Sequence, residues 1–451
     1  MKNERILCMK QDLTEGSVAG TMLLFAGPMI LGNLLQQCYN IADSLIVGRF
    51  LGSNALAAVG SAYTLMTFLN SILIGLCMGS GSVFSIYAGK KDFSQMKRSI
   101  HIAFILIGAI AVVINVLVFA GIDGILRLLR IPEEIYDMMY DYIWIIFLGI
   151  FFVFLYNYFA FLLRAMGNSV VPLWFLGSAA VLNIVLDLLF VIGFRWGIQG
   201  AAIATVLAQV FSGLGIGIYV WRKEPKLRPG RGDLSFSGKS VVEILRFSSA
   251  ACIQQSIMNF GILMIQGLVN SFGTAVMAAF TAAVKIDSLA YMPAQEFANA
   301  YSLFTSQNHG AGKKDRVKQG TKSAMKLSIG FCVLVSALVF GTASWLMQFF
   351  IDPSELEIIQ IGVGYLRVEG SFYCGIGLLF LLYGFYRGVG KPEMSVVLTV
   401  ISLGTRVFLA YTLAPVSGIG VWGIWWSIPI GWFLADIVGM AGMYRYKFHF
   451  N

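Results

Sequence analysis

Two carboxylates stand where an apolar chain has little reason to keep them. Asp43 falls in the long apolar run over residues 18–48, and Asp187 in the run over 170–194. An Asp at the centre of a membrane-spanning helix costs about 2.5–3.5 kcal/mol on insertion scales, so such a residue faces a cavity, a partner or an ion. Asn33, Gln36, Asn40 and Asp43 lie within about an 80° arc of a helix, which makes one polar stripe. Asn183 and Asp187 are four residues apart and share a face. If both segments run the same way across a bilayer, their carboxylates reach a similar height, where Tyr142 and Thr205 join them. Two carboxylates in a poorly solvated layer repel each other and lose hydration, and a proton or a sodium ion relieves both penalties. That is the requirement of an ion-coupling site, with oxygens of Asp43, Asn183 and Asp187 available to Na+. Hydrogen bonding of the two acids to helix ends at the rim is the plainer alternative, and the sequence leaves it open.

Other polar residues in apolar runs suggest a cavity. Gln255, Asn259, Gln266 and Asn270 fall within about 60° on a helix and, with Gln36 and Asn40, are candidates for lining one. Lys285 and Asp287 are further candidates, although two residues apart on a helix they do not share a face. The six cysteines include no Cys-x-x-Cys pair and the three histidines are isolated, so neither a metal centre nor a disulfide framework is expected. There is no phosphate-binding loop, since Gly390-Lys391 runs into Pro392. No nucleophile–base constellation is present either, so neither an enzyme nor a cofactor is expected. Gly75-xxx-Gly79 and Gly213-x-Gly-x-Gly217 read as sites of close helix packing. Pro28 removes a backbone hydrogen bond upstream of Asp43 and is a candidate kink.

The elements that position these groups follow from composition. Of 451 residues, 58% are hydrophobic and 12% charged, and the mean hydropathy is +0.77. Soluble domains carry about 25% charged residues, so a water-soluble globule is excluded and an all-α polytopic membrane protein is expected. Cutting at polar clusters gives twelve apolar runs, near 18–48, 55–87, 99–122, 139–163, 170–194, 197–221, 240–270, 275–305, 321–348, 361–386, 394–415 and 419–444. The first, second, seventh and eighth are long enough to tilt or bend. The first keeps flanking charges and is too long for a signal peptide, so it is expected to be retained. Lys and Arg gather in the even-numbered loops and the tails, for example Lys90, Lys91, Arg222, Lys223, Lys313, Lys314, Lys2 and Arg445. The opposite side holds only Arg49, Arg127, Arg130 and Arg195. This distribution predicts a plasma-membrane protein with both termini in the cytoplasm. The net charge of +9 is thus a topology signal, and no nucleic-acid partner is expected.

The chain also repeats itself. Ala88-Gly-Lys-Lys-Asp92 recurs as Ala311-Gly-Lys-Lys-Asp315, Arg164-Ala-Met-Gly167 matches Arg387-Gly-Val-Gly390, and Tyr142 matches Tyr365, all at an offset of 223. Ala55–Ala58 falls on Val276–Ala279 at an offset of 221. Two pseudo-symmetric six-helix bundles follow, residues 1–221 and 240–451, joined by a basic cytoplasmic linker over 222–239. With six spans each, the repeats are parallel, an arrangement common in transporters. The second half does not keep the carboxylate pair: the offsets carry Asp43 to Met264, Asp187 to Ala410 and Asn183 to Arg406.

Tyr39-Asn-Ile-Ala-Asp43, Val47-Gly-Arg-Phe-Leu-Gly52 and Ala55-Leu-Ala-Ala-Val-Gly60 together resemble the first-helix signature of the MATE (multidrug and toxic compound extrusion) transporters of the MOP superfamily. Leu163-Arg-Ala-Met-Gly167, Gly200-Ala-Ala-Ile-Ala-Thr205 and Gln307-Asn-His-Gly-Ala-Gly312 extend the likeness along the whole chain. The resemblance implies a V-shaped pair of six-helix lobes exporting organic compounds by antiport with H+ or Na+, without an obligate protein partner. In the DinF-like branch it implies an N-lobe ion site at Tyr39, Asp43, Tyr142, Asn183, Asp187 and Thr205. The NorM-like branch uses acids on helices seven and ten. Here helix seven has Gln254 and Gln255, and only Glu369 lies on helix ten, which argues against a C-lobe ion site. A lipid-linked precursor flippase of the same superfamily is the rival within transport. A membrane receptor or enzyme is the rival outside it.

Overall fold

The computed structural model describes residues 11–128, 131–230, 233 and 237–448. Lys2, Arg5, Lys10, Cys8, Arg130, Arg231 and His449 therefore lie outside the described residues. Among those described the chain is helical: α1 (Val18–Leu51), α2 (Ser53–Lys90), α3 (Phe93–Leu128), α4 (Glu133–Phe147), α5 (Ile150–Ala165), α6 (Val170–Asp187), α7 (Gly197–Lys223), α8 (Gly238–Asn270), α9 (Thr274–Gly310), α10 (Lys314–Gln348), α11 (Leu356–Gly370), α12 (Tyr373–Gly388), α13 (Glu393–Leu413) and α14 (Val421–Phe448). Ten elements are each long and apolar enough to cross a membrane, and the bent pairs α4–α5 and α11–α12 complete twelve. The α1–α2 junction is a single residue, Gly52, at φ 90° and ψ −179°. A side chain rarely adopts that conformation, so the helix must break there.

The long runs α1, α2, α8 and α9 are each one continuous helix, with Pro28 inside α1. Two other spans are broken and bent: 44° between α4 and α5, and 51° between α11 and α12. Their boundaries are related by 223 residues at every end, so the break belongs to the repeat. Side chains bond to backbone carbonyls beside each break. Asn115 Nδ2 donates to Phe147 O at 2.8 Å, and Ser371 Oγ donates to Arg367 O at 2.6 Å.

The helices form two compact units that do not simply follow the repeat. The first contains residues 27–252, so it includes the start of α8. The second contains 13–26 and 253–451, so it includes the start of α1. In the first unit, α2 and α8 meet backbone to backbone. A Cβ on Gly79 would stand 2.3 Å from Phe247 O, and one on Gly75 2.6 Å from Cys252 Cα. Ser248 Oγ donates to Leu76 O across the same contact at 3.0 Å. In the second unit the core is aromatic: Phe280 stacks on Trp425 with centroids 5.6 Å apart, and Tyr365 meets Trp425 edge-on at 4.9 Å. The segment before α1 is held by the last turn of α9 and the first turn of α10. There Asn308 Nδ2 donates to Leu13 O, and Arg316 donates to the carbonyls of Leu13, Glu15 and Gly16.

Candidate functional site

Within the first unit, α1, α4, α6 and α7 each bring polar groups into one buried layer. Asp187 is the last residue of α6 and is fully buried, Asn183 one turn earlier is 1% exposed, and Asp43 on α1 is 9% exposed. The Asp43 and Asp187 carboxyls lie against each other, and Tyr39 and Tyr142 stand close enough to feel both charges. Thr205 on α7 donates its only proton to Ala201 O at 3.1 Å and accepts from Asn183 Nδ2 at 3.3 Å. The amide oxygen of Asn183 is thereby left without a donor. Asp43 Oδ1 and both carboxylate oxygens of Asp187 share that condition. All six residues proposed from the sequence therefore meet in a pocket of buried acceptors. Such a pocket is satisfied by a species that brings positive charge or a hydrogen.

Local backbone structure sets Asp187 in place. Directly after it the helix widens into a π-helical turn over Leu188–Gly193, a distortion often found at functional sites. Tyr63 on α2 stands near Tyr39. Nothing in its spacing announced it.

Of the proposed cavity residues, Gln36 and Asn40 belong to the first unit and Gln255, Asn259, Lys285 and Asp287 to the second. Gln36 is exposed and Asn40 half-buried on α1, and Gln255 and Asn259 are half-buried on α8. Lys285 is exposed, whereas Asp287 is buried. Two positions on a helix are about 200° apart, so the two charges point to different surroundings. Asp287 faces the interior of the second unit, against Glu369 and Tyr373, with Arg406 within electrostatic range of both acids. Asp287 Oδ1, Glu369 Oε2 and the Tyr373 hydroxyl are buried without hydrogen-bond partners. The sequence reading missed this second carboxyl pair because it weighed α8 and α11 for acids and set Asp287, on α9, aside as cavity lining.

Comparison with known proteins gives this arrangement a family. The MatE family model matches the chain twice, over residues 28–189 and 250–412, which repeats the internal duplication almost register for register. The chain is 32% identical over 416 residues to the probable multidrug resistance protein YpnP of Bacillus subtilis, covering 91% of this chain and 93% of that protein. It is 26% identical over 444 residues to the probable multidrug resistance protein YoeA of the same organism, covering 97% and 95%. A multidrug resistance MATE family transporter of the MOP superfamily, solved in an outward-facing conformation, superposes with a TM-score of 0.90 at 25% identity, over 96% of this chain and 97% of that one. The protein defined by this fold is a multi-pass membrane transporter. It belongs to the MATE family.

Proposed function

We propose that this chain is a secondary-active exporter of organic, amphipathic or cationic compounds, working by alternating access in exchange for H+ or Na+. The observation that carries this reading is the acceptor pocket of Asp43, Asn183 and Asp187, whose buried oxygens meet no donor. Binding an ion there removes the repulsion between two carboxylates, so occupancy and helix arrangement are coupled energetically. The ion is H+ or Na+, since a carboxylate pair with amide and hydroxyl oxygens serves either. The YpnP and YoeA names support a drug-like cargo, and the Lys and Arg distribution supports cytoplasmic termini in the plasma membrane. A second coupling site at Asp287 and Glu369 is favoured by their own unpartnered oxygens.

The test is efflux of a fluorescent organic cation from proteoliposomes under a pH gradient or a Na+ gradient imposed separately. Export should follow one gradient and be lost in Asp43→Asn while the variant still inserts. Glu369→Gln, assayed beside it, should reduce the driven component only if the second unit also couples. Normal driven efflux by Asp43→Asn overturns the first-unit site. No driven transport across a broad cation panel turns the reading toward a lipid-linked precursor.

A further inference from the structure

The second unit carries an arginine that its fold does not require. Arg367 lies near the end of α11, just before the bend, with its guanidinium 5.4 Å from the centroid of the Phe340 ring on α10. The repeat relation carries Arg367 to Trp144 of the first half, and there Trp144 packs on Phe119 of α3 with centroids 5.0 Å apart. Phe119 lies within two residues of the position that repeats as Phe340. The same stacking position is thus filled by an uncharged ring in one unit and by a cation in the other. Packing alone is served by the ring, so the charge answers to something else.

Its surroundings indicate what. Arg367 lines a groove of about 630 Å³ between α10, α11 and α14, with Phe340, Phe372, Trp422 and Trp426 as walls and Gln360 as a further polar group. Phe372, at the bend itself, packs on Trp426 with centroids 5.7 Å apart. Arg367 is exposed, and no carboxylate among the described residues lies within ion-pair distance of it. The first half offers no such groove chemistry, since Gln360 repeats as Asp137 and Trp422 as Gln199 at the offset of 223. A negatively charged group would be repelled at Asp137 and attracted at Arg367.

We propose that this groove binds one phospholipid, its phosphodiester seated on Arg367 and an acyl chain laid along Trp422 and Trp426. A guanidinium engages phosphate oxygens through paired N–H donors. Trp and Phe surfaces suit the hydrocarbon that adjoins a lipid headgroup. A free inorganic anion would use the guanidinium and leave the aromatic walls unused. The lipid lies beside the α11–α12 bend, on the exposed face of α11 that carries Arg367 and not on the buried face that carries Glu369.

Native mass spectrometry of the full-length protein, delipidated in detergent and titrated with phosphatidylglycerol, tests this. The wild type should retain one more lipid than Arg367→Trp, which restores the first unit's ring at that position, and Arg367→Gln should lose the same adduct. A Trp422→Phe/Trp426→Phe variant should lose the component of the brominated phosphatidylglycerol quenching that saturates with the first bound lipid, the other exposed tryptophans being common to both proteins. Inorganic phosphate should not displace the adduct. Equal lipid retention by the wild type and both Arg367 variants overturns the proposal, as does displacement by inorganic phosphate, which would mark a simple anion site. Transport need not be measured, so failure here leaves the ion-coupling reading untouched.

Discussion

Replacing Gly79 with Ala should destabilise the protein, whereas the same change at Gly267 should not. The new methyl at Gly79 would sit 2.3 Å from Phe247 O and 2.6 Å from both Phe247 C and Ser248 Cα, all backbone atoms that no rotamer change can move. Carbon contacts settle near 3.5–4.0 Å, so α2 and α8 must part locally by about 1 Å. That displacement stretches the 3.0 Å bond from Ser248 Oγ to Leu76 O beyond hydrogen-bonding range, at a cost of about 1 kcal/mol. Overpacking adds about 1–3 kcal/mol, and the better helix propensity of Ala returns about 1 kcal/mol. The net loss is therefore about 1–3 kcal/mol. Gly267 has no atom within 4 Å of the added Cβ, so only the favourable propensity remains. Thermal unfolding in detergent, followed by labelling of the fully buried Cys77 on α2, reads both variants on one scale. A Gly79→Ala protein as stable as the Gly267→Ala protein would refute the backbone-contact argument.

Two further outcomes follow from contacts already described. Trp425→Ala should cost about 3–5 kcal/mol, because it empties a buried site shared by Phe280 and Tyr365; Trp425→Phe should recover most of this in the same unfolding assay. Arg316→Ala removes charged donors from the carbonyls of Leu13, Glu15 and Gly16, bonds worth about 1.5–3 kcal/mol when fully formed. Limited proteolysis should then cut within residues 11–17 faster than in the wild type, and an unchanged cleavage rate would refute the anchoring role.

Much of this architecture was legible in the residues. The twelve runs, the duplication and the meeting of Asp43 with Asp187 all follow from hydropathy and helical spacing, because lipid forces polar groups onto one face. The bends were not legible. Leu148-Gly149 and Ser371-Phe372 carry no proline and interrupt no apolar run, and the carbonyl left at Phe147 is met by Asn115, 32 residues away on another helix. Length is visible in sequence, whereas a break within a span depends on neighbours that are not. The π-helical turn after Asp187 escaped notice for the same reason. Asp287 was seen, but its partner Glu369 lies 82 residues away on another helix, and no local period links them.

The segments that the two units exchange also bear on handling. Residues 13–26 complete the second unit, and residues up to 252 of α8 complete the first; in the repeat these are nearly the same stretch, the beginning of the first helix of each half. Each unit is thus built from parts of both repeats. One half made on its own, cut at the linker, would therefore lack a piece of its own core. It would present the Gly75–Gly79 surface with nothing laid against it, and its natural remedy would be a second copy of itself.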